Sequence, residues 1–166
     1  HVVVRMESKK IEKGGKLIME GMGEDTDRAG LKDTPSRVAE MYAEIFSGIS
    51  TDTEKLLIPM AGESHDELVM IRDLPFYSVC EHHLLPFFGK AHIAYIPQND
   101  KMVGFSNMIK VIDILTKRLQ VQERLTSQID DSIVDALGAK GVPVVVEAEH
   151  LCITMRGPKA PGSFIL

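Results

Sequence analysis

Two short runs far apart in the chain, Cys80-Glu81-His82-His83 and His150-Leu151-Cys152, constrain the fold more than any other feature, because they hold both cysteines and three of the six histidines. Cys80 and His83 stand three positions apart, a spacing at which one turn of backbone offers a sulfur and a nitrogen to one metal ion. Cys152 can supply a third ligand from another element. A shared ion requires a fold that brings residue 80 beside residue 152. Three protein ligands leave a fourth position open, and an open zinc position commonly holds water whose pKa the metal lowers toward ~7. The pattern therefore points to hydrolysis more than to structural stapling.

The rest of the chain sets the frame. At 166 residues and 44% hydrophobic content, it is long enough for one domain with a core of its own, so zinc is not needed merely to fold it. The histidines beside the thiols, and the lack of a secretory pattern, favour reduced cysteines and a cytoplasmic setting over a disulfide. Apolar runs such as Val142 to Val146 fall far short of the ~20 residues of a membrane span, so no membrane association is expected. A net charge of -5 argues against sequence-independent nucleic-acid binding, which relies on clustered lysine and arginine. It leaves room for one anionic ligand held by cations gathered in a pocket. His1 to Arg5 precede Met6, which reads as the natural first residue.

From Met6 to Gly48 the pattern is helical. Ile11, Leu17, Ile18 and Met22 suit one amphipathic helix; Thr34-Pro35 reads as an N-cap and first-position proline for a helix from Ser36 to Phe46, with Val38, Met41, Tyr42 and Ile45 on one face. Between Leu68 and Pro97 the period shortens: Val69 and Ile71 alternate with Met70 and Arg72, and Lys90 to Ile96 is rich in β-formers, predicting two antiparallel strands joined through the Cys80 motif. Helical spacing returns from Gly104 to Leu119 and from Val121 to Leu137, where Gly138 ends it. Val142 to Met155 is expected as a strand or strand pair, with His150 and Cys152 on one face. The reading is one compact α+β domain, with an N-terminal helical region over 1–50 and a catalytic region over 51–166.

Taken singly, most candidate residues have ordinary explanations. A free cysteine is commonly a small buried hydrophobe. Glu123, Lys110, Arg37 and Arg156 are by default solvated surface charges. With His83 as a ligand, the adjacent His82 projects differently and is a candidate proton shuttle.

Four runs change these odds together: Cys80 to His83, Gln120-Val121-Gln122-Glu123-Arg124-Leu125, Glu147-Ala148-Glu149-His150-Leu151-Cys152, and Thr34-Pro35-Ser36-Arg37 ahead of Ile45-Phe46-Ser47-Gly48. In order and spacing, from about Lys10 to Gly157, they resemble the GTP cyclohydrolase I family. The resemblance implies the T-fold, an antiparallel sheet with two helices on one face, whose subunits close into a tunnelled barrel. It implies a homodecamer of two face-to-face pentamers with active sites at subunit boundaries. By position it implies Zn2+ on Cys80, His83 and Cys152; His82, His150 and Ser106 as catalytic proton carriers; Glu123, helped by Gln122, as the reader of guanine; and Arg37, Lys110 and Arg156 as triphosphate contacts. The implied reaction converts GTP to 7,8-dihydroneopterin triphosphate and formate, the first step of tetrahydrofolate and pterin biosynthesis.

Two features depart from that pattern. Asn107 follows Ser106 where the family usually has lysine. Beyond Arg156-Gly157 the family continues with a Ser/Thr-rich strand and a final helix, whereas here Pro158 to Leu166 follow. The competing reading is a catalytically silent, zinc-stabilised oligomeric scaffold that binds purines, or a T-fold enzyme acting on a related pterin or purine.

Overall fold

The computed structural model describes residues 6–53, 55–61, 67–98, 101–139 and 141–165; the opening His1 to Arg5 lies outside them. The chain begins with two helices, α1 (Ser8–Gly21) and α2 (Thr34–Ile45), packed on one another. The expected start of α2 moves by one residue: Asp33 is the N-cap, and Thr34 and Pro35 open the first turn, where a missing N–H costs no helical bond. The apolar stripe expected on α1 also needs correction. Leu17, Ile18 and Met22 are 56%, 63% and 69% exposed, while Met19 is buried. Gly15, one turn before Met19, faces Pro35 and Val38 of α2, and the contact line runs along Ile11, Gly15 and Met19 instead.

Strand β1 (Pro59–Ala61) is followed by the long β2 (Val69–Cys80) and β3 (Pro86–Tyr95), which pair antiparallel as their alternation predicts. Then come β4 (Lys101–Val103), antiparallel to β1, and helix α3 (Phe105–Thr116). A two-residue strand β5 (Leu119–Gln120) separates α3 from α4 (Gln122–Leu137), which stops at Gly138 with φ +63°. The chain continues through β6 (Val144–His150) and one helical turn, α5 (Leu151–Thr154). The main sheet has the order β5-β2-β3-β6.

Two expectations change here. The sheet is mixed, because β5 runs parallel to β2 through Val79–Leu119 and Cys80–Gln120. His150 and Cys152 do not share a strand face, since β6 ends at His150 and Cys152 belongs to α5. The Val142–Met155 segment thus turns a corner between two of its functional residues.

A bulge decides which face of β2 looks inward. Ile71 pairs with Ile93 but Leu74 pairs with Ala91, so β2 carries one extra residue there. Asp73 takes a left-handed φ of +59°, its N–H donates to His92 Nδ1 at 3.3 Å, and Lys90 Nζ holds its carboxylate at 2.9 Å. Before the bulge Val69 and Ile71 pack toward the core; after it the inward residues are Leu74, Phe76, Ser78 and Cys80. Against this face lie Met108, Val111, Ile112 and Leu115 of α3 and Leu125, Ile129, Ile133 and Leu137 of α4, all buried. The two helices cover one side of the sheet, and their apolar stripes follow the spacing expected of them. Among the described residues no helix is long and apolar enough to cross a membrane.

Candidate active site

The bulge places Cys80, the last residue of β2, on the buried helix-covered side. Beyond it the chain reverses tightly: Leu84 N–H donates to Cys80 O and Cys80 N–H to Leu85 O, both at 2.9 Å. Leu84 adopts φ +53°, and Glu81 N–H donates to Gln120 O of β5 at 3.0 Å. This reversal projects His82 and His83 outward, and both are exposed. On the other side of β3, Phe87 pairs with His150. The ends of β2 and β6 therefore stand two strands apart, about 10 Å. The α5 turn closes that gap by carrying Cys152 back toward Cys80.

The ligand atoms of Cys80, His83 and Cys152 lie within 4.8 Å of one another. A tetrahedral zinc with bonds of about 2.0–2.3 Å holds such atoms roughly 3.5–3.8 Å apart, so small side-chain adjustments suffice. Both cysteines are free thiols. Burial, and then the neighbouring Cys80 sulfur, raise the Cys152 thiol above its ordinary value, with Arg156 opposing. A divalent cation between the sulfurs would reverse that penalty, and two thiolates with one imidazole form a donor set suited to zinc. These residues fit the metal expected of them.

Around the cluster stand further titratable groups. His82 Nδ1 is 3.9 Å from Cys80 Sγ. His150 is buried, its ring stacked on Phe87 at 4.7 Å between centroids and 4° between planes. Burial lowers its pKa below the usual imidazole value, and the nearby Glu123 carboxylate partly offsets this. Glu123 sits exposed in the first turn of α4, where the helix dipole favours a negative charge. It opens onto a cleft of about 360 Å³ that it shares with Thr126, Val145, Val146 and Ile165. A larger cleft of about 600 Å³, between the end of α2, β2 and α3, is apolar and contains none of the cluster. The smaller one also lacks the three cluster residues, but it is the cleft onto which Glu123 opens.

Gln122 differs from its expected part. Its side chain is buried, and its amide nitrogen donates to Val146 O at 2.8 Å and Ile165 O at 3.0 Å, so both amide hydrogens are committed within the protein. That leaves none for holding a base. Arg156, just beyond α5, remains close enough to Cys152 to act on its thiol.

Ser106, Lys110 and Arg37 are not brought to the cluster within one chain. Thr116, at the far end of α3, accepts a hydrogen bond from Ser78 Oγ at 2.7 Å, which ties that end of the helix to the Cys80 end of β2. Ser106 lies ten residues earlier, about 15 Å along the axis. Lys110 shares its exposed face one turn on, still far from Cys80. Arg37 is exposed on α2 beside Asp33, at 3.6 Å. Asn107 is half-buried, its side-chain amide close to Gly104.

Sequence reasoning passed over four supporting residues. Phe87 had the signature of an ordinary strand residue, and Ile165 of a tail. Glu81 and Arg124 lay inside the quoted runs, but only folding shows that they meet, through bonds of 2.6 and 3.0 Å.

A sequence model of GTP cyclohydrolase I matches residues 11–166. The chain belongs to the GTP cyclohydrolase I family. Membership makes it an enzyme of the cyclohydrolase class. GTP cyclohydrolase 1 of Carboxydothermus hydrogenoformans is 54% identical over 158 residues, covering 95% of this chain and 82% of the relative. The enzyme of the same name from Pelotomaculum thermopropionicum is 56% identical over 154 residues, 93% of this chain and 82% of its own length. That of Geobacillus kaustophilus is 54% identical over the same shares.

Proposed function

We propose that this chain is a zinc-dependent GTP cyclohydrolase, converting GTP to 7,8-dihydroneopterin triphosphate and formate at the head of pterin and tetrahydrofolate synthesis. The observation that carries the reading is the meeting of Cys80, His83 and Cys152 beside His150 and the Glu123 cleft. A zinc ion held by those three residues supplies Lewis acidity and lowers the pKa of water toward about 7.

The residues then divide the work. Glu123 accepts hydrogen bonds from guanine N1–H and the exocyclic amine, a paired match that adenine cannot offer. Arg156 is placed for an anionic group beside the cluster. Water adds at C8 of the purine while His150 delivers a proton to N7, which opens the five-membered ring to a formamide. A second water cleaves the formamide and releases formate. The freed amine permits an Amadori rearrangement of the ribose, with His82 and Ser106 as proton carriers, and ring closure expels one water. Two waters enter and one leaves, so the net reaction consumes one.

Assembly completes the site in this reading. With Ser106 about 15 Å and Lys110 about 9 Å along α3 from the end that Ser78 ties to β2, we propose that a second copy supplies them, as the T-fold's tunnelled barrel of repeated subunits would do. We therefore propose a homo-oligomer, a decamer of two pentamers, with sites between subunits. We also propose a cytoplasmic setting, which two unpaired thiols suit.

Formate release from GTP, measured before and after metal removal with ATP as control, tests the reading. Formate from GTP alone, lost with the metal and restored by zinc, is the expected result. An assembled, zinc-loaded protein that releases none would instead be the silent scaffold.

A further inference from the structure

We infer that Gln122 is a positioning residue that fixes the tautomer of His150, keeping the ring hydrogen on Nε2 and leaving Nδ1 as the nitrogen that exchanges protons during the reaction. The inference rests on the proton-transfer role proposed for His150.

The argument begins with what surrounds the Gln122 amide. One end faces two backbone carbonyls, Val146 O at 2.8 Å and Ile165 O at 3.0 Å. Carbonyls only accept, so the end facing them is the NH2 group. The other end, Oε1, therefore points at His150 Nε2 at 2.8 Å. An amide oxygen cannot donate, and a hydrogen bond at that distance requires the hydrogen on Nε2. Flipping the amide would set its oxygen against two carbonyl oxygens. The opposite tautomer of His150 would set two lone pairs face to face.

Every anchor of this arrangement belongs to the framework. Val146 lies within β6, and Ile165 is held against β6 by paired backbone bonds with Ala148 at 3.0 and 3.1 Å. Phe87 fixes the ring plane by stacking. Gln122 and His150 are 5% and 9% exposed, so water does not compete for their bond. A neutral acceptor also orients the ring without placing a charge beside it. The tail segment at Ile165 is part of this device, since it supplies one of the two carbonyls that turn the amide.

The test uses the zinc-loaded protein with ring-labelled histidine, read by solid-state nitrogen NMR, with the His150 signals assigned by their loss in His150→Ala. Expected in the wild type is a hydrogen-bearing Nε2 and a bare Nδ1. In Gln122→Leu the ring becomes a mixture of tautomers, kcat for formate release falls by at least roughly tenfold, and KM for GTP and zinc content stay unchanged. Hydrogen on Nδ1 in the wild type would overturn the inference. So would an unaltered tautomer, or an undiminished kcat, in a folded Gln122→Leu protein. The spectrum is read without substrate, so a protein that makes no formate but shows the expected tautomer would count against the proposed function, and against the inferred role in turnover, while leaving the geometry intact.

Discussion

Arg124 grips Glu81 with two hydrogen bonds, Nη1 to Oε2 at 2.6 Å and Nη2 to Oε1 at 3.0 Å. The pair joins the reversal that carries His82 and His83 to the first turn of α4, which carries Gln122 and Glu123. The fork geometry of the guanidinium makes this a hinge pin that lysine could not replace.

Arg124 also sets a pH dependence. Its hydrogen bond lowers the Glu81 pKa below the ordinary 4.5, opposed by desolvation and aided to a lesser degree by its charge. A carboxylate depressed in the folded state adds stability above its unfolded value, which is lost as pH falls through the folded one. Arg124→Leu is therefore expected to lower the urea midpoint at neutral pH. The two proteins should converge in acid. A gap that persisted at low pH would assign the loss to packing instead.

Cys80→Ser and Cys152→Ser should each bind markedly less zinc and release no formate, while remaining folded. The core is built from apolar side chains that are not ligands, among them Leu125, Ile129, Phe87 and Ala91. Metal analysis and circular dichroism on the same samples check both halves. A fully active variant without zinc would refute the site.

Glu123→Ala should weaken GTP binding at least tenfold, since charge-assisted hydrogen bonds are worth about 1.5–3 kcal/mol each. Zinc content should not change, because Glu123 lies outside the ligand cluster. Equilibrium binding of GTP to the zinc-loaded variant decides it. Undiminished affinity would remove Glu123 from base recognition.

The proposed sharing of sites between copies predicts complementation. Lys110→Ala and Cys80→Ser should each be inactive alone. After unfolding and refolding together, random assembly of two-subunit sites should restore roughly a quarter of wild-type activity. No recovery in a mixed oligomer would place both residues in one chain's site.

Gly89→Ala tests how closely β3 and β6 must approach. A Cβ there would lie 1.8 Å from Glu147 O, against backbone that cannot rotate away. The expected loss is about 1–3 kcal/mol, read from denaturant unfolding. Because β6 ends at His150, formate release should fall as well.

The cluster of Cys80, His83 and Cys152 was legible in the sequence because its chemistry is local: only a few residue types suit zinc, and Cys80 and His83 lie within one turn of each other. The helices α3 and α4 were legible from their apolar period, which survives as the buried stripe from Met108 to Leu115 and from Leu125 to Leu137. Helix α1 misled, because Leu17 and Ile18 have the right spacing but the contact with α2 runs along Gly15 and Met19. The tertiary structure decided the rest. One extra residue near Asp73 turns Cys80 toward the helices, and the corner after His150 returns Cys152 to it, outcomes that strand alternation alone would have reversed. The partnership of Gln122 with His150 likewise depends on Val146 and Ile165, and no local pattern specifies which way a buried amide faces. Local chemistry named the donors; the path of the backbone through space determined which of them meet.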